Sequence, residues 1–187
     1  MFKTILKAIS LIALSVTATT VQAKALTQDE AKISSAINSF ATLADQNAYQ
    51  HLGRLFAPEL TVDYTSLWGG EPTKTTNVEL IKQWAGFLPG FDTTYHELSN
   101  LDVKLDGDNA LATVDFTASH WLGDTGFWSV FGSYEFALNR ASNGWVINSV
   151  KLNYEGETGN RDVLGEAPKF AKQNLLDLRD SKLVTLN

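Results

Sequence analysis

Apolar positions recur along this chain in two different periods, and the change of period divides it. Ile33, Ile37, Phe40 and Ala44 follow one another at helical spacing. They stand behind Thr27-Gln28-Asp29-Glu30, where a threonine oxygen and a glutamate three residues on can satisfy the first free backbone N–H groups. An amphipathic helix is predicted there. A short helix is expected over Ala48 to Phe56, closed by Pro58, and a strand follows in which Leu60, Val62 and Tyr64 alternate with Thr61 and Asp63. Gly69-Gly70-Glu71-Pro72 marks a loop. Thr76-Asn77-Val78-Glu79 repeats the capping pattern ahead of a helix with Leu80, Ile81, Trp84 and Leu88 on its apolar stripe, stopped by Pro89-Gly90.

Beyond that point the period is two. Thr94 to Leu105 is extended, yet His96 and Leu98 fall out of phase with Leu101, Val103 and Leu105, and a bulge near Asn100 reconciles them. In Ala110 to Trp121, the residues Ala112, Val114, Phe116, Ala118 and His120 share one face. Phe127 to Arg140 carries Trp128, Val130, Gly132, Tyr134, Phe136 and Leu138 on one face, with Gly132 suggesting a bend. Trp145 to Tyr154 is the last strand, and a helix is expected after Pro168 with Phe170, Leu175 and Leu178 as its contacts. Helices followed by an antiparallel meander indicate an α+β domain whose helices pack on one face of a curved sheet.

The opening residues do not fit this scheme. Lys3 and Lys7, the apolar run Ala8 to Ala18, and Val21-Gln22-Ala23 read as a secretory signal peptide, too short to span a bilayer. The expected organisation is a leader over 1–23, a folded domain over 24–156 and an extension over 157–187. The expected location is the periplasm or the exterior, with no membrane attachment after cleavage. A net charge of −6 argues against a nucleic-acid partner, and the absence of cysteine excludes thiol catalysis and cysteine-held metal.

Candidate chemistry therefore falls to the three histidines. His120 lies on an apolar strand face, where a buried imidazole is either a hydrogen-bonded structural group or a contact to a ligand. His96, taken alone, reads equally well as a surface residue, and His51 reads as solvent-facing. Asp45 ends its helix in a turn-like Asp-Gln-Asn run, and Tyr64 shares the face of Leu60 and Val62.

Leu43-Ala44-Asp45-Gln46-Asn47-Ala48-Tyr49, Leu55-Phe56-Ala57-Pro58-Glu59-Leu60 and Val62-Asp63-Tyr64, followed by Thr93-Thr94-Tyr95-His96 and Ser119-His120, resemble in order the SnoaL-like proteins of the nuclear-transport-factor-2-like superfamily. Among enzymes the set resembles scytalone dehydratase. The resemblance implies a cone-shaped, curved antiparallel sheet wrapped by N-terminal helices, an α+β barrel enclosing a hydrophobic pocket. It implies that Asp45 orients His96 as general base and acid, that His120 handles or positions a proton, and that Tyr64 holds a water or substrate oxygen. Trp68, Trp84, Phe116, Gly132 and Tyr134 are the expected substrate contacts. Ala44 stands where the dehydratase has tyrosine, and Gly132 and Tyr134 where it has serine and asparagine, so the substrate differs.

The function this predicts is a lyase (dehydratase) or isomerase, without cofactor or metal, that abstracts a proton next to a carbonyl of a small apolar molecule. Relatives imply a homo-oligomer, dimer or trimer. Two other readings stand beside it. A non-catalytic binding or interaction module would use Trp68, Trp84, Trp121, Trp128 and Tyr134 as its wall. A two-histidine, one-carboxylate iron site is the other, although no close H-x-H or H-x-D spacing supports it.

Overall fold

The computed structural model describes residues 25–124 and 126–184; the predicted leader lies outside the described residues. No helix among them is long and apolar enough to cross a membrane. Helix α1 (Gln28–Asp45) opens with the capping box: the Thr27 hydroxyl accepts from the Glu30 N–H while Glu30 accepts from the Thr27 N–H. Ile33 and Ile37 are fully buried, and each contributes about 2–3 kcal/mol of hydrophobic stabilisation. The helix start is clamped to the sheet by Arg140, whose guanidinium meets Asp29 at 2.8 and 3.2 Å and holds that carboxyl at about 2.

The segment predicted as one helix to Phe56 is shorter. Helix α2 (Tyr49–Leu52) passes into a 3-10 turn (Gly53–Leu55), and Phe56 already begins strand β1 (Phe56–Asp63). Pro58 thus sits inside a strand instead of ending a helix. It is tolerated because the pairing of β1 with its neighbour is interrupted between Phe56 and Thr61, so no ladder hydrogen bond is missed there. Two short elements escaped the pattern: α3 (Thr65–Trp68) and β2 (Thr73–Thr76) flank the glycine loop. Helix α4 (Asn77–Ala85) follows, capped by Thr76, and a 3-10 turn spans Leu88–Gly90.

The long strands are β3 (Thr93–Asp106), β4 (Asn109–Leu122), β5 (Gly126–Ala141) and β6 (Gly144–Gly159). The sheet order is β2-β1-β6-β5-β4-β3. The curved α+β sheet has the expected form, with one addition: β1 runs parallel to β6, so the sheet is mixed and unclosed. The bulge near Asn100 is present. The β3–β4 register shifts between Ser99 and Asp102, and Asn100 takes φ 54°, a conformation asparagine tolerates better than most residues.

Gly132 marks the bend in β5. The register shifts there, and any Cβ at this position would be driven into the Asn153 carbonyl. Phe40 of α1 fills the concave face, packing edge-on against Phe56, Trp84, Tyr134 and Phe136 at 5.2–6.3 Å.

Beyond β6 come α5 (Val163–Glu166) and α6 (Pro168–Val184). The expectation for α6 fails in part. Phe170 and Leu178 are exposed, while Ala167 and Ala171 are buried. Gly90 lies directly against the Ala167 carbonyl, and the Pro89 carbonyl accepts from Asn174. So close an approach requires small residues and excludes large apolar ones.

Candidate active site

Asp45 closes α1, the end of a helix where the dipole disfavours a carboxylate. Hydrogen bonds compensate. Its Oδ1 lies 2.6 Å from His96 Nδ1 and accepts from the Thr94 hydroxyl at 2.9 Å, while Oδ2 accepts from the His96 backbone N–H at 2.8 Å. Partial burial works against the charge, but these donors from His96 and Thr94 outweigh it, and the pKa of Asp45 falls below the ordinary value. An ionised carboxylate can only accept, so Nδ1 of His96 carries the proton and Nε2 is left as the basic nitrogen. Both side chains are largely shielded, 8% of His96 and 16% of Asp45 remaining exposed.

The β3–β4 register brings the second imidazole to the first. His96 stands opposite Ala118 and His120 opposite Thr94, so the histidines are diagonal neighbours on one face, with ring centroids 6.1 Å apart. His120 is 4% exposed. It lies between Phe91 and Trp128, at 4.9 and 5.0 Å, and its Nδ1 has no hydrogen-bond partner among the described residues. Burial, reinforced by the nearby His96, lowers its pKa to about 4, so it is neutral at physiological pH.

These groups border a cavity of about 660 Å³. His96, His120, Tyr64 and Tyr134 all line it, with Asp45 behind His96 at the edge of a separate cleft. The two phenols interact with each other. Burial raises both pKa values above the ordinary tyrosine range, so both remain hydrogen-bond donors. Trp68 and Trp84 also line the cavity.

Two expected contacts lie outside the lining. Phe116 is stacked behind Tyr134, ring centroids 4.0 Å apart, and supports that ring instead of facing the cavity. Gly132 is backbone in the wall, pairing with Phe116 on β4 and Tyr154 on β6. Trp121 is partly exposed and packs on Phe127 away from the cavity, whereas Trp128 does line it. His51 is exposed.

Thr94, the third partner of Asp45, and Leu164 and Gly165, which α5 contributes to the lining, were not anticipated. Alternation gave a signal for Thr94, which shares the face of His96; nothing in the sequence ties the extension to the pocket. Among the described residues, no group of three or more His, Cys, Asp or Glu is arranged to hold a metal ion.

Comparison with known proteins agrees with this architecture. An uncharacterized protein of Mycobacterium tuberculosis, Rv2910c, is 30% identical over 129 residues, covering 64% of this chain and 80% of that protein. The crystal structure of the Kfla4162 protein from Kribbella flavida superposes with a TM-score of 0.66 at 29% identity, covering 70% of this chain and 93% of that one. A candidate scytalone dehydratase from Novosphingobium aromaticivorans superposes with a TM-score of 0.61 at 18% identity, covering 70% and 87%, a likeness of fold. Residues 25–151 match the SnoaL-like domain, and with the curved sheet, the helical wrap and the cone pocket in place, the chain belongs to the SnoaL-like family on the nuclear-transport-factor-2-like fold.

Proposed function

We propose that this protein is a lyase of the dehydratase kind, or an isomerase, that abstracts a proton next to a carbonyl of a small apolar substrate held in the cone pocket. The observation that carries the reading is His96 on the wall of an apolar cavity, held from behind by Asp45 at 2.6 Å, with neutral His120 beside it. A pocket that only holds ligands needs aromatic walls. It does not need a carboxylate spent on fixing one imidazole tautomer. The fold shared with a candidate scytalone dehydratase points the same way.

In this mechanism His96 Nε2 takes the α-proton. Asp45 stabilises the imidazolium that forms and keeps the ring in place. The electron pair of the broken C–H bond moves into an enolate, whose oxygen accepts from Tyr64 or Tyr134, donors that stay protonated at any working pH. For a dehydration, the enolate re-forms the carbonyl and expels the β-hydroxyl, which leaves as water after receiving a proton from His96 or through His120. For an isomerisation, the proton returns at another carbon. Either course needs only the base and the donors, and each assisted proton transfer contributes on the order of 10²–10⁴ in rate.

The test is exchange of α-protons of small cyclic and aryl ketones in deuterated water, followed by NMR, with wild-type protein and with His96→Gln. Exchange by the wild type, reduced by about 10² or more in the folded variant, supports the reading. Undiminished exchange in His96→Gln removes it.

A further inference from the structure

The cavity lining also says what it would refuse. Apart from the two histidines, Glu71 is the only ionisable acid or base of the charged types among the described lining residues; no lysine or arginine faces the cavity. The exposed members of the lining mark its mouth: Trp68, Gly69, Glu71, Thr73, Gln83 and Gly165. Arg161 is a cation beside Trp68, and it is engaged. Its guanidinium lies 2.7 Å from Glu157 and 5.4 Å from the Trp68 ring centroid, and Glu157 also accepts from the Trp128 indole at 3.1 Å. Trp68 is 53% exposed and stands 6.4 Å from Trp128. Among the residues that line the mouth, an entering ligand meets the Trp68 indole and one carboxylate, with the neighbouring Arg161 already held by Glu157.

We propose that Trp68 and Glu71 at the mouth, with Leu164 of the extension in the lining, are specificity-determining residues that make the cavity a filter for uncharged ring compounds and against anionic ones. The inference rests on the reading of the cavity as a substrate pocket. An anion moved into such a pocket loses its hydration and gains no cation in return, while Glu71 repels it at the entrance. A neutral aromatic ketone loses little hydration, stacks on Trp68 and Trp84, and finds phenol donors at the inner end. Leu164 sits across the extension's side of the lining, beyond residue 151 where the family match ends, so this selectivity is partly supplied by a segment outside that match.

The experiment is an NMR titration of the tryptophan indole N–H signals with two probes of one shape, acetophenone and 4-acetylbenzoate, on the wild type, Glu71→Lys and Trp68→Ala. Acetophenone is expected to bind the wild type at least about tenfold more tightly than 4-acetylbenzoate, since about 1.4 kcal/mol of unpaid desolvation suffices for that ratio. Glu71→Lys is expected to narrow the ratio by at least about fivefold through tighter 4-acetylbenzoate binding, with acetophenone unchanged. Trp68→Ala is expected to weaken acetophenone and leave the fold intact, because the side chain is half exposed.

Equal affinity for the two probes, an unchanged ratio in Glu71→Lys, or no binding of acetophenone overturns the proposal. The readout is binding and does not depend on turnover. Selectivity without α-proton exchange would overturn the catalytic reading alone, and exchange on an anionic ketone would overturn the filter alone.

Discussion

Replacing His120 by glutamine is expected to flatten the acid side of the stability profile. In the unfolded chain this imidazole titrates near 6.5; in the folded protein burial lowers it to about 4. Between those values the unfolded state holds a proton that the folded state refuses. Stability from this residue is therefore complete above about pH 6.5, declines as the pH falls toward 4, and levels off below. Integrating the two titrations from pH 7.5 to pH 4.5 gives a loss of about 2–3 kcal/mol, a change of one to two orders of magnitude in the folding equilibrium. Glutamine has no such titration. Urea unfolding of both proteins at the two pH values isolates the term, because Asp45 and the other carboxylates titrate in both and cancel in the comparison. The wild type should lose about 2–3 kcal/mol more than His120→Gln. A difference below about 0.5 kcal/mol would mean that His120 is solvated in the folded state, and the account of a neutral imidazole buried between Phe91 and Trp128 would fail.

Three further outcomes are expected. Asp45→Asn can present an amide N–H to His96 Nδ1 and favour the wrong tautomer, so α-proton exchange should fall by about 10²–10⁴ with the fold retained, as judged by circular dichroism. Gly132→Ala should destabilise by about 2 kcal/mol or more, read as a lowered urea midpoint, because the new methyl meets the Asn153 carbonyl at a bend that cannot relax without breaking the β5–β6 ladder. Thr27→Ala should cost about 1 kcal/mol by removing one half of the capping box, measured in the same way.

Features governed by local rules were legible in the sequence. Thr27 and Glu30 announced the start of α1, and Ile33, Ile37, Phe40 and Ala44 its buried stripe. The out-of-phase Leu98 and Leu101 disclosed the bulge at Asn100, because a single-residue slip would otherwise turn half of β3 inside out. Alternation alone set His120 toward the core.

What depended on partners was hidden. Alternation shows that Leu60 and Val62 belong to a strand, not that β1 lies parallel to β6. Strand β2, Thr-Lys-Thr-Thr, has no apolar face to betray it. In α6 the large residues pointed to the wrong face, since Ala171 is buried where Phe170 and Leu178 are exposed, and the close approach at Gly90 is met by Ala167 just before the helix. Asp45 and His96 are 51 residues apart, and no period links them; their pairing was suggested by family resemblance and is made by the end of α1 meeting the start of β3. Phe116 had the right face but the wrong depth, because Tyr134 stacks over it.

The central claim is that Asp45 holds His96 with its basic nitrogen free. A long-range proton–nitrogen correlation spectrum of the neutral His96 ring reads this directly. The account predicts a single tautomer with the proton on Nδ1, lost or reversed in Asp45→Asn. A wild-type ring protonated on Nε2, or averaging between tautomers as a free imidazole does, would contradict it.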